Sequence, residues 1–163
     1  MSIFSQILDS TQILAAQMLK KNFKLSTAES CTGGMLSQSI TAMQGSSAWF
    51  ECGFITYSNE SKIKLLDVNI NALQEEGAVS EVVARQMAAG ALSNSTSQIS
   101  ASITGIAGPD GGTKEKPVGT VFIATASKQK NILVNKHLFE GGRQSIREQT
   151  TLAAISQLIQ QLQ

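Results

Sequence analysis

The chain has 163 residues, 42% of them hydrophobic and 15% charged, with a net charge of +1. That length suits one domain over residues 1–163, and the balanced charge without a Lys/Arg block argues against nucleic acid or an anionic membrane surface as partner. Cys31 and Cys52 are too few for a disulfide framework in a chain this long, so a reducing cytoplasm is the expected compartment.

Helical periodicity opens the chain. From Ser5 to Lys21 the residues Ile7, Leu14 and Met18 alternate with Leu8, Ala15 and Leu19, interrupted by Gln and Asp, which fits neither a signal peptide nor a membrane span. Lys24 to Thr27 reads as a short strand that enters the polar turn Thr27-Ala28-Glu29-Ser30-Cys31-Thr32-Gly33-Gly34, and a helix through Met35, Leu36 and Ile40 follows to about Met43. Ala48 to Tyr57 gives a second strand, Ser58 to Leu66 a helix, Asn69 to Glu76 a short helix, and Ser80 caps a helix ending near Leu92. Ile99 to Thr104 is a strand running into the Gly/Pro loop Thr104 to Pro117, the longest irregular segment, and such loops are usually functional or mobile. Val118 to Ala126 reads as a central strand buried on both faces, with Asn131 to Phe139 as its hairpin partner. Gly141-Gly142 opens a last helix that buries Leu152, Ile155, Ile159 and Leu162. The alternation, broken by one hairpin, predicts an α/β fold with a mixed sheet between helical layers.

Ser30 stands before a helix N-terminus, where free N–H groups and a partial positive charge can hold an anion or an oxyanion. It is a candidate nucleophile, or with Thr32 simply a helix cap. Its activation is the question. The single histidine, His137, lies in a predicted strand, and the sequence neither supports nor excludes its reaching Ser30. There is no Cys/His cluster for zinc, so no metal is expected. A neutral lysine is the other established activator. Lys62 falls near the centre of the apolar arc formed by Ile63, Leu65 and Leu66, where it either loses its proton or snorkels to water. From a reference pKa of about 10.4, a useful base needs a downward shift of roughly three units. Tyr57, at the end of the preceding strand, is a proton relay, a substrate hydrogen bond or a rim aromatic. Arg143 sits in the first turn of the last helix, against the dipole, which favours a bound phosphate; pairing with Glu148 or Glu140 is the alternative. The loop from Thr104 through Gly105 and Gly108 leaves a strand end, where ligands gather in open α/β sheets, but it matches neither a P-loop nor a Rossmann fingerprint.

Together, Ala28-Glu29-Ser30-Cys31-Thr32-Gly33-Gly34, Gly45-Ser46-Ser47 with Trp49-Phe50, Gly53-Phe54-Ile55-Thr56-Tyr57-Ser58-Asn59, Lys62, Gly77-Ala78-Val79-Ser80, Ile103 to Gly112 and Lys116 to Val121 resemble the CinA C-terminal domain family over almost the whole chain. Its stand-alone, PncC-type members are nicotinamide-nucleotide amidases. The resemblance implies a three-layer α/β/α sandwich that self-associates as a homo-oligomer, and hydrolysis of nicotinamide mononucleotide without a cofactor, a step in pyridine-nucleotide salvage. It places the nucleophile on Ser30, the lysine on Lys62, the tyrosine on Tyr57 and the arginine on Arg143. The oxyanion is then expected on amides of Thr32, Gly33 and Gly34, with phosphate and ribose on Arg143 and the Thr104, Gly105 and Gly108 loop. Two other readings remain: a non-catalytic module that binds or senses a pyridine nucleotide, and Cys31 as the nucleophile, its thiolate favoured by the helix N-terminus.

Overall fold

The computed structural model describes residues 2–163. Five strands form one sheet in the order β2-β1-β3-β4-β5. They are β1 Leu25–Glu29, β2 Phe50–Ile55, β3 Ile99–Gly105, β4 Thr120–Ser127 and β5 Lys130–Leu138. The first three run parallel, and β4 and β5 add antiparallel partners. Among the described residues six helices cover the sheet: α1 Ile3–Lys21, α2 Met35–Thr41, α3 Asn59–Leu66, α4 Ile70–Glu76, α5 Glu81–Ser93 and α6 Arg143–Leu162.

Strand alternation sends successive side chains to opposite faces, and here it separates two cores. Ile99, Ala101 and Ile103 of β3 join Leu14 and Met18 of α1, Leu36 and Ile40 of α2, and Ile155 and Leu158 of α6. On the other face Ala28, Leu66, Leu73, Val83 and Met87 pack together, beside Ala84 and Ala88 against Phe122 and Ala124. The result is a three-layer α/β/α sandwich with a mixed sheet, as the resemblance implies. The intervening residues of β3 are hydroxyls: Ser100, Ser102 and Thr104 donate to the carbonyls of Ala88, Ala84 and Ala78. These bonds hold α5 and the turn before it close to the sheet, where only small residues fit.

Several boundaries move. The strand expected from Ala48 begins at Phe50, because Gly45 (φ 83°) starts a 3-10 turn over Ser46–Ala48 and Trp49 turns into the core, 1% exposed. The strand expected from Val118 begins at Thr120, after Gly119 at φ 94°. On α6, Ile155 and Leu162 are buried as expected, but Leu152 and Ile159 are half-buried and Ile146, Ala154 and Leu158 complete the inner face. None of the helices among the described residues is long and apolar enough to cross a membrane.

Candidate active site

Strand order reverses at β1, which has β2 on one side and β3 on the other, and in open α/β sheets ligands bind outside the carboxyl ends of the strands at such a switch point. Ser30 follows β1 at that edge. Its amide donates to the Ile103 carbonyl at 3.0 Å, continuing the ladder with β3, and the side chain is 9% exposed. Lys62 arrives from the other helical layer. Ser58 caps α3 by accepting from the Ser61 amide at 3.1 Å, and the side chain one residue later turns inward, 1% exposed.

Lys62 Nζ stands 3.0 Å from Ser30 Oγ, 2.7 Å from the Thr56 carbonyl oxygen and 3.3 Å from that of Tyr57. Burial lowers its pKa to about 8, against a smaller opposing pull from Cys31. A neutral amine has two hydrogens and one lone pair. Two carbonyls can accept only the hydrogens, so the lone pair is left facing the Ser30 hydroxyl. The snorkelling alternative fails because no water-facing path is left to the head group.

Cys31 packs in the core formed with α1, α2 and α6, and burial raises its thiol to about 11, so it stays protonated at neutral pH. That removes the reason for reading it as the nucleophile. His137 lies on β5, three strands from β1 and therefore about 14 Å away, stacked on Phe139 with centroids 5.0 Å apart. It does not form a triad with Ser30.

The turn after Ser30 differs from expectation in two respects. Neither Ser30 nor Thr32 caps α2. The Glu29 carboxylate does, accepting from the amides of Gly34 at 3.1 Å, Leu36 at 3.1 Å and Ser37 at 2.8 Å, and from the Thr32 hydroxyl at 2.7 Å. The Gly33 amide donates to the Ser30 carbonyl at 3.0 Å. The amides of Gly33 and Gly34, expected to serve an oxyanion, are thus already occupied. Those of Cys31 and Thr32, in buried residues, have no acceptor in any other described residue, although the Cys31 amide approaches its own sulfur. Buried amides without a partner in another residue are rare, and these two in succession next to Ser30 are candidate donors for an incoming oxygen.

Arg143 is the first residue of α6, whose N-cap Gly142 provides no side-chain cap and whose first turn holds no acidic residue. Its guanidinium donates to the Gly108 carbonyl at 2.8 Å and the Tyr57 hydroxyl at 3.1 Å, linking α6, the β3–β4 loop and the end of β2. It pairs with neither Glu140 nor Glu148. Tyr57 therefore presents its carbonyl to Lys62 and its phenol to Arg143. Two residues of the loop expected to contact ligand also have structural roles. The Thr104 hydroxyl is buried and donates to the Ala78 carbonyl at 2.7 Å, and Gly105 lacks a side chain because a Cβ there would lie 2.6 Å from Val121 Cγ2. Arg147, one turn beyond Arg143 on the same helix face, donates to the Thr32 carbonyl at 2.8 Å. Sequence reasoning missed Glu29. The available signal was an acidic residue on a strand where all five positions are buried.

A family model for the CinA C-terminal domain matches residues 8–162. The chain is 43% identical over 157 residues to the nicotinamide-nucleotide amidohydrolase PncC of Escherichia coli K12, covering 96% of this chain and 95% of that protein. It is 48% identical over 145 residues to a putative competence-damage inducible protein of Caldicellulosiruptor bescii, covering 89% of this chain and 35% of the other. The crystal structure of the competence/damage inducible protein CihA from Agrobacterium tumefaciens superposes with a TM-score of 0.94 at 40% identity, covering 97% of this chain and 96% of that one.

Proposed function

The chain belongs to the CinA C-terminal domain family, and on that footing we propose that it hydrolyses the carboxamide of nicotinamide mononucleotide, giving nicotinic acid mononucleotide and ammonia. The observation that carries this reading is the buried Lys62 amine 3.0 Å from Ser30 Oγ, with two carbonyls on its hydrogens. Residues 1–163 work as one amidase domain in a homo-oligomer in the cytoplasm, in salvage of pyridine nucleotides.

Ser30 Oγ attacks the amide carbon while its proton passes to the lone pair of Lys62. The oxyanion that forms is held by the Cys31 and Thr32 amides. As the C–N bond breaks, Lys62 returns that proton to the departing nitrogen, and ammonia leaves an ester on Ser30. A water then gives one proton to Lys62 and its oxygen to the acyl carbon; as the adduct collapses Lys62 returns that proton to Ser30 Oγ, and the carboxylic acid released ionises to solvent. The phosphate is held by Arg143 and the uncapped amides of the first α6 turn, so binding energy remote from the bond broken positions the carbonyl. Tyr57 orients Arg143 and borders the reacting centre.

The test is ammonia release from nicotinamide mononucleotide. Ser30→Ala and Lys62→Ala should each lose roughly 1,000-fold or more in kcat, as for other nucleophile and base pairs, while Cys31→Ala stays active. A fully active Ser30→Ala overturns the nucleophile assignment. Tight binding of the nucleotide by wild type without ammonia release favours the binding module.

A further inference from the structure

Glu29 ends β1 next to Ser30, is wholly buried, and forms no ion pair among the described residues. Besides the four bonds described above, its carboxylate accepts from Ser37 Oγ at 2.7 Å, making five donors on two oxygens. An uncompensated buried carboxylate is unfavourable unless donors surround it, so this arrangement commits every donor it gathers. The donors come from residues 32 to 37. Ser37 Oγ also lies 2.8 Å from Thr27 Oγ1, which returns the network to β1.

The segment held in this way has little stiffness of its own. Gly33 and Gly34 adopt φ of 58° and 99°, left-handed conformations from which glycine moves easily. Lys62 belongs to α3, a different element, so the Ser30–Lys62 contact persists only if the turn is fixed relative to the sheet. Glu29 grips the turn from inside, and Arg147 grips the Thr32 carbonyl from the other side. Glu29 points its oxygens at the α2 amides and the Thr32 and Ser37 hydroxyls. It occupies the amides of Gly34, Leu36 and Ser37, whereas those of Cys31 and Thr32 have no acceptor in another described residue.

We propose that Glu29 is a positioning residue for the hydrolysis: its buried carboxylate fixes the Ser30–Gly34 turn so that the Ser30 hydroxyl and the Cys31 and Thr32 amides face one reacting carbonyl. This rests on the amidase reading. The measurement is steady-state ammonia release from nicotinamide mononucleotide by Glu29→Gln, Glu29→Asp and Ser37→Ala, with folding followed by circular dichroism. Glu29→Gln keeps the size but turns one acceptor into a donor. It should lower kcat roughly 100-fold, the effect of an ångström-scale misplacement, with KM within about threefold and folding intact at the assay temperature. Glu29→Asp keeps both acceptors on a shorter arm and should recover part of the loss. Ser37→Ala removes one donor and should lower kcat roughly fivefold at unchanged KM, which decides the matter if Glu29→Gln does not fold. A folded Glu29→Gln or Ser37→Ala with kcat within twofold of wild type overturns the proposal, as does a loss that tracks the unfolded fraction. If wild type releases no ammonia, the amidase reading fails separately, and the rate of Ser30 labelling by a fluorophosphonate still tests positioning. Slower labelling of the variants supports it; equal labelling, or none in wild type, overturns it.

Discussion

Lys62 meets the requirement for a base near neutral pH by burial, and the value of about 8 sets what its rate profile should look like. At pH 7 roughly one amine in ten is neutral, and at pH 9 nearly all are. We therefore expect kcat/KM for nicotinamide mononucleotide to rise about tenfold from pH 7 to 9 with its half-maximum near 8; a profile flat across that range removes Lys62 as the base. Cys31→Ala tests the neighbouring position. A thiol held at about 11 contributes no thiolate at pH 8, so this variant should keep kcat within about threefold and follow the same profile. The pair of Ser30 and Lys62 was legible because each breaks a local pattern: a hydroxyl in a Gly-rich turn, and a cation in an apolar arc. Glu29 was not legible as a holding group, because its partners at Thr32, Gly34, Leu36 and Ser37 define it only after the turn is folded. For the same reason it was not legible that the amides of Gly33 and Gly34 have acceptors within the turn while those of Cys31 and Thr32 have none in another described residue. Sequence supplies the amides of such a turn, but only tertiary contacts determine which are already taken.

Among the elements, α6 and the α3–α5 contact carry the clearest consequences. Arg143 lies where the helix dipole disfavours a cation, and its two side-chain hydrogen bonds leave it beside the uncapped first turn. If a phosphate is its ligand, Arg143→Ala should raise KM for nicotinamide mononucleotide at least tenfold. Its kcat/KM for nicotinamide riboside, which lacks the phosphate, should stay within about threefold of wild type. An equal loss on both substrates sinks the phosphate role. Farther from the chemistry, Gly90 of α5 packs directly on the Leu66 carbonyl at the end of α3, and a Cβ there would overlap that oxygen. Gly90→Ala should therefore push α3 outward, destabilise the protein by about 1–3 kcal/mol in urea unfolding, and lower kcat by displacing Lys62. Unchanged stability would show that the two helices part without resistance. The periodicity of α1 and α6 was readable because each buries one face, and α5 was readable from its Ser80 cap. The ends of β2 and β4 were not, since an apolar run such as Ala48-Trp49-Phe50 looks the same whether its aromatic pairs in a strand or turns into a core.

Across the whole molecule, groups that burial keeps from their ordinary protonation state tie global stability to pH in opposite directions. His137 and Lys62 have lowered pKa values, so the unfolded chain binds more protons than the folded one near their ordinary ranges, and stability rises with pH there. For Lys62 that window runs from about 8 to the ordinary 10.5. Cys31 has the reverse sign, and so does the half-buried Cys52, whose thiol burial and Glu51 also raise. The Cys31 thiol ionises near 9 when unfolded and near 11 when folded, so between those values the folded state holds the extra proton and stability falls as pH rises. Stability should therefore climb from pH 8 to 9 as the penalty of the buried ammonium is relieved, then level off where the two windows overlap, then fall above 10.5. Trp49, the only tryptophan and 1% exposed, reports the transition by its emission during urea unfolding under reducing conditions. Substitution separates the terms. Cys31→Ala with Cys52→Ala should go on gaining stability up to about pH 10.5, and Lys62→Met should lose the rise between 8 and 9 and begin its decline near 9. If the curves of wild type and Lys62→Met run parallel from pH 8 to 9, the amine is not desolvated in the folded protein and lacks the lowered pKa that the proposed role as base requires.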